Sequence, residues 1–307
     1  IFYLKGALYA ANKDYNNAIT YYNKAKDLAI ATGKTKELYK YYHQLSFAFY
    51  YTGKIDLAIQ TLEKSLKTTL KDTYEYGRTY ELMGAFTKTL HPNDSIVLVY
   101  KKLAVDAYLN GKIENKLIAH GFKNLAVSYF DFNQLDNALQ TIRKLKAYND
   151  IRETSKSMVI EYNFLLADYF KKNQVLDSAE IYVRKVLTLT ENETGTYKEY
   201  YYKSLYKLGL LAVKKNDLNL ATTYFLKVAN SGRYKKEISE QLYSIYKAQK
   251  KYKISLLWLE KSAAIKESIR QNEKEFALEN FKVKFNTKET ENELLKIAIE
   301  NEKKDIL

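Results

Sequence analysis

The chain has 307 residues, 46% of them hydrophobic, with a formal net charge of +14, ten glycines, one proline and no cysteine. That apolar content can bury a substantial core, and the near absence of proline suits long uninterrupted helices where a strand-rich fold would need many more turn residues. Disulfides, thiolate chemistry and zinc ribbons are excluded, and no run approaches the ~18 consecutive apolar residues of a membrane helix.

Read from Ile1, the chain repeats one unit. Its clearest copy is Tyr42 to Leu66, two amphipathic helices around a turn at Gly53. Leu45, Ser46 and Phe49 share a face of the first helix; Ala58, Leu62 and Ser65 share one of the second. Taking Ala58 as a marker, the equivalents are Ala18, Ile96, Ala138, Ala179, Ala221 and Ser255, in steps of 40, 38, 42, 41, 42 and 34 residues. Two residues before the marker stand Asn16, Asp56, Asp94, Asp136, Asp177 and Asn219, predicted as helix N-caps, with Lys253 breaking the rule. Four after it come the large residues Tyr22, Leu62, Tyr100, Ile142, Val183, Phe225 and Leu259. Twelve before it come Gly6, Ser46, Gly84, Ala126, Ala167, Gly209 and the exception Tyr243. Small residues at the crossing let paired helices approach closely. Gly33, Gly53, Gly111, Gly195 and Gly232 are predicted to mark turns.

The alternation of small and large residues, with an aromatic three after the small one (Tyr9, Phe49, Tyr129, Phe170, Tyr246) and the run Ala18, Tyr22, Ala25, resembles the tetratricopeptide repeat family over residues 1–263. Five of the six steps exceed that family's 34, its closing proline is missing, and the third copy carries Ile96 and Leu103 where small residues are usual. The resemblance implies an all-α, right-handed α-solenoid of about seven helical hairpins, residues 1–263, followed by a long C-terminal helix, residues 264–307.

In that family the first helices line a concave groove that holds the ligand. Carried over by register, the groove residues are His43, Phe47 and Tyr50 in copy two, Arg78, Glu81 and Lys88 in copy three, and Lys123, Val127 and Phe130 in copy four. Copies five and six add Phe164, Asp168, Lys171, Lys203 and Tyr206. Aromatic and charged residues in this mixture suit an extended peptide or protein segment. The carboxylate clamp of chaperone-binding members is not reproduced; only Lys123 and Asn124 look like a remnant of it.

Thirty tyrosines are unusual, and clusters such as Tyr50-Tyr51 and Tyr200-Tyr201-Tyr202 cannot all point one way on a helix. The charge is uneven as well. Residues 198–261 hold 14 Lys and Arg against 5 Asp and Glu, whereas residues 263–307 hold 9 against 10. A basic surface on the last repeats can steer acidic partners. No nucleic-acid module accompanies it, so the sequence argues against direct nucleic-acid binding by this segment.

No catalytic residues, cofactor or metal site is predicted. His43, His91 and His120 lie far apart and none belongs to an HExxH spacing. Gly33-Lys34-Thr35 imitates the end of a phosphate loop, but Leu28 stands where its first glycine is required.

Beyond Ala263 a helical pattern continues through Leu278, Phe281, Phe285, Asn292, Leu295, Ile299 and Ile306. Residues 263–285 are predicted to cap the array and the remainder to protrude, with Asn292 at an a position where a polar residue fixes a paired register, hence a homodimer through this helix. The first residue, Ile1, and the last, Leu307, both fall inside helical patterns, so the expectation is a piece of a longer protein. A solenoid followed by such a charged helix resembles the sensory region of bacterial regulators that continue into a membrane span, a kinase or a DNA-binding domain. The predicted function is therefore non-catalytic peptide or protein recognition as the input of a signal-transduction or transcriptional regulator. A general interaction scaffold without signal output is the alternative. Localisation stays open between the periplasmic and cytoplasmic parts of a membrane-anchored protein.

Overall fold

The structure, a computed structural model, describes residues 1–149, 155–272, 274, 275 and 278. Among these there is no strand. The chain divides into two compact units, Ile1–Asn216 and Asp217–Leu307. The first holds α1 (Phe2–Ala11), α2 (Tyr15–Ala31), α3 (Leu38–Tyr51), α4 (Ile55–Thr68), α5 (Tyr74–Leu90), α6 (Ile96–Asn110), α7 (Asn115–Asp131), α8 (Leu135–Asn149), α9 (Lys156–Lys172), α10 (Leu176–Thr190) and α11 (Gly195–Lys214). A 3₁₀ turn at Thr35–Glu37 precedes α3.

Each helix of the first unit packs on the next, so that α1 to α10 form five hairpins stacked in series. First helices also touch across hairpins, α3 on α5, α7 on α9 and α9 on α11, which is the arrangement of an α-solenoid. The marker alanines explain the close pairing. Ala18, Ala58, Ala138 and Ala179 are each 0% exposed, and the large residues four later, Tyr22, Leu62, Ile142 and Val183, are at most 1% exposed. A methyl at the crossing lets the helices approach, and the bulky residue one turn on fills the space beneath.

The turns within the hairpins share a geometry that glycine counting misses. Five residues before the marker, Lys13, Gly53, Asn133 and Gln174 all have positive φ. The amide of the next residue donates back across the turn, as in Lys54 to Phe49 O (2.9 Å) and Gln134 to Tyr129 O (2.9 Å). This is a Schellman ending. Only Gly53 adopts it without a side chain. Its substitution by alanine meets no atom within 4 Å, so the expected cost is conformational alone, about 1 kcal/mol. A shift in the urea unfolding midpoint would measure it.

Two sequence expectations shift register here. The N-caps sit two residues earlier than predicted for α2, where Asp14 rather than Asn16 accepts from Asn17 N at 3.2 Å. Asp56, Asp136 and Asp177 stand inside the first turn, where their charge favours the helix N-terminus. Gly111 has φ −73 at the end of α6, and the left-handed residue is its neighbour Lys112 (φ 48). Glycine is needed at 111 for a different reason: a Cβ there would stand 2.1 Å from Asp72 O.

The third hairpin departs from the rest. Its turn runs from His91 to Ser95 and carries Pro92, five residues where α3 and α4, or α7 and α8, are joined by three. The marker therefore moves by one. Val97, not Ile96, is the residue with 0% exposure, and Ala104, not Leu103, is the small residue seven later, at 1%. Four after Val97 stands Lys101, in the position that Tyr22, Leu62, Ile142 and Val183 occupy elsewhere.

The second unit holds α12 (Leu218–Ala229), α13 (Lys235–Ala248) and a helix over 252–272, here α14. Asp217 caps α12 through Leu220 N at 2.9 Å, where Asn219 was the predicted cap. Ser255 Oγ donates to Tyr243 O at 3.1 Å, and Lys266 pairs with Glu240 at 2.9 Å, tying α14 to α13. The expected boundary at 263/264 falls within continuous helix. The predicted heptad positions Phe281 to Ile306, and with them the proposed dimer seam, lie outside the described residues. Among the described residues no helix is long and apolar enough to cross a membrane.

Candidate functional site

A groove of about 880 Å³ opens in the first unit, lined by residues of the first helices α5, α7, α9 and α11 together with Pro92 and Lys101. On α5 the lining residues Arg78, Glu81, Leu82, Ala85, Lys88 and Thr89 follow one helical stripe, and on α7 Lys123, Asn124, Val127 and Ser128 do the same. Glu161 of α9 and Lys203 of α11 complete it.

Glu81 organises the floor. Its side chain is 5% exposed; Oε2 accepts from Arg78 Nη1 at 2.8 Å and Oε1 accepts from Asn124 Nδ2 at 2.9 Å. Burial alone would raise its carboxyl, but the bonds from Arg78 and Asn124, and the charges of Arg78 and Lys101, outweigh that and hold it below the usual carboxylate range. Lys101 reaches in from the second helix of the hairpin and donates to Glu81 O at 2.8 Å. Burial lowers its ammonium against the opposing pull of Glu81. Gly84 makes room for it, since a Cβ there would come 3.1 Å from Lys101 Cε. The lysine in the seam, the glycine beside its stem and the lengthened turn all fall in the α5–α6 hairpin.

The groove carries five cationic side chains, Arg78, Lys88, Lys101, Lys123 and Lys203, against the carboxylates of Glu81 and Glu161. Lys88 is matched by Asp131 at 2.5 Å, and Glu161 accepts from Tyr200 OH at 3.1 Å. Lys123 has no hydrogen-bond or ion-pair partner among the described residues, and Lys203 lies over the Phe164 ring at 4.8 Å with no carboxylate partner. The result is a wall of positive charge with donors unspent, suited to an anionic ligand.

Of the sequence-predicted groove residues, Arg78, Glu81, Lys88, Lys123, Val127 and Lys203 line this space. His43 does not. Its Nε2 is 2.7 Å from Thr79 Oγ1, and because the Thr79 hydroxyl donates to Glu75 O (2.7 Å), the His43 ring is the donor and its Nδ1 the bare nitrogen. Phe47 packs edge-on to Phe86 at 5.8 Å and Tyr50 stacks on the same ring at 4.6 Å, so both belong to the α3–α5 contact. Tyr51, 48% exposed, stacks on Tyr15 at 4.8 Å and meets the Tyr50 ring edge-on at 5.4 Å.

Phe130 and Phe164 do not line the groove. They are 6% and 3% exposed, because α9 packs over the end of α7 and the cations of Lys203 and Lys207 cover the Phe164 ring. Asp168 is held between Lys207 at 2.6 Å and Lys171 at 3.6 Å, away from the lining. Tyr206 is half-buried on α11. Sequence reasoning missed Lys101, Glu161 and Pro92. The single proline and a lysine four after an apolar marker were the available signals, hidden by the one-residue slip of the third copy.

Among the described residues no three His, Asp or Glu side chains gather as a metal site. Residues 1–71 match the family model described as tetratricopeptide repeat. The fold is similar to the apo form of RapI (TM-score 0.67, 17% identity, 88% of this chain and 75% of that one). It is also similar to a tetratricopeptide repeat protein from Parabacteroides merdae (0.63, 15%, 88% and 95%). A Rap protein complexed with competence and sporulation factor is similar as well (0.54, 14%, 88% and 75%). A search of curated proteins by sequence found no match.

Proposed function

We propose that the α5–α11 groove of this chain, whose first 71 residues match the tetratricopeptide repeat model and whose helical-hairpin fold is similar to that of RapI, binds an extended, acidic peptide or protein segment without chemical turnover. The observation that carries the reading is the charge of the groove: five cations against Glu81, Glu161 and the Asp131 that pairs with Lys88, with Lys123 unpaired. A neighbour of the same fold complexed with competence and sporulation factor supports a ligand-receiving role. In this reading the module is the input region of a signal-transduction or transcriptional regulator, and occupancy of the groove is the signal.

Fluorescence anisotropy with a labelled Asp- and Glu-rich peptide tests it. The expected result is saturable binding that weakens with salt and is lost by roughly 30-fold or more in Lys123→Glu/Lys203→Glu, two charge reversals on partly exposed side chains. Equal binding by wild type and double variant, or preference for a Lys-rich peptide, contradicts it.

A further inference from the structure

The second unit contains an open cavity of its own, about 420 Å³, between the end of α12, the start of α13 and α14. Its floor is apolar: Ile238 is 1% exposed, and Trp258, Ala229 and Ile265 stand around it. Its rim is cationic, with Arg233, Lys235 and Lys261, and no carboxylate is among the lining residues. Lys261 lies over the Trp258 ring at 4.3 Å, and neither Lys235 nor Lys261 has an ion-pair partner among the described residues. The volume lies at the small-molecule end of the range for binding pockets, and an apolar base under converging polar groups is how such sites fix orientation.

We propose that this cavity binds a small organic carboxylate whose apolar body rests on Trp258 and Ile238 and whose anionic head meets Lys235 and Lys261. The charge decides against the other occupants of that shape. A neutral apolar molecule makes no use of the two ammonium groups at the rim, and a cation is repelled by them. The ligand differs in kind from the segment assigned to the groove of the first unit, and the two sites share no residue.

Trp258 is the only tryptophan in the chain, so its emission reports on this cavity directly. The full chain is titrated with octanoate and with 1-octanol, which share the tail and differ in the charge of the head, and the midpoint of the tryptophan change is read. Octanoate is expected to saturate with a midpoint at least about tenfold below that of octanol, and Lys235→Ala/Lys261→Ala is expected to erase that preference. Lys235→Arg/Lys261→Arg keeps the positive rim and retains it, so a misfolded alanine variant does not leave the proposal untested. Equal midpoints for the two probes in wild type, or no saturable change, overturns the assignment. Lys123→Glu/Lys203→Glu leaves the octanoate midpoint unchanged, which separates this site from the groove.

Discussion

Replacing Glu81 by alanine is expected to destabilise the first unit by about 3 kcal/mol, more than the loss of one surface ion pair can explain. The side chain is 5% exposed and its carboxylate accepts from both Arg78 and Asn124, so its removal leaves a half-buried guanidinium and an amide facing a void. Arg78 keeps some contact with water, its side chain being 36% exposed, which holds the loss near the lower end of the range for broken buried pairs. Arg78→Leu/Glu81→Leu removes both charges together and is expected to recover most of the stability while abolishing peptide binding. Urea unfolding followed by far-ultraviolet circular dichroism checks both variants. If the double variant is no more stable than Glu81→Ala, the penalty does not come from the stranded guanidinium.

The second large effect concerns acid. Burial, and after it the nearby Arg78 guanidinium, depress His43 from its ordinary 6.5 to about 4. Above pH 6.5 the imidazole is neutral in both folded and unfolded chains and contributes nothing to the pH dependence. Below it the unfolded chain takes up a proton that the folded one refuses, so stability falls as pH drops from 6.5 to about 4 and the slope vanishes beneath that. Over the window the loss amounts to about 3 kcal/mol. Since the neutral ring donates to Thr79, His43→Gln keeps a donor and removes the titration. The stability of wild type relative to His43→Gln should therefore fall by about 3 kcal/mol between pH 7 and pH 4. A constant difference across that range would show that His43 charges as readily in the folded chain as in the unfolded one.

Much of the architecture was legible because it rests on side-chain volume at fixed intervals. Ala18, Ala58, Ala138, Ala179 and Ala221 are each 0% exposed, and the large residues four later are buried with them. Turn chemistry was less legible. The hairpins end in left-handed residues that are Lys13, Asn133, Gln174, Asn216 and Lys250 as well as Gly53, so glycine spacing located one of these turns and missed the others. The groove was half legible for a related reason. Arg78, Glu81 and Lys88 followed from helical register within α5, which no turn interrupts. Lys101 did not, because two extra residues between α5 and α6 rotate the second helix by a register that only the backbone reveals. Phe130 and Phe164 share helices with groove residues, yet neighbouring helices and long lysine side chains close over them, a consequence of packing between hairpins that no single helix encodes.

The central claim is that the first helices of the first unit hold the ligand along the face marked by Lys123 and Val127. It is tested most directly by placing a photo-cross-linking residue at Val127, 40% exposed on α7 in the groove, and separately at Leu57, 42% exposed on α4 outside it. Equal accessibility at the two positions makes the comparison one of location. With an Asp- and Glu-rich peptide the account predicts a covalent adduct at position 127, competed by unlabelled peptide and lost in Lys123→Glu/Lys203→Glu, and none at position 57. An adduct at 57 and not at 127 would contradict it.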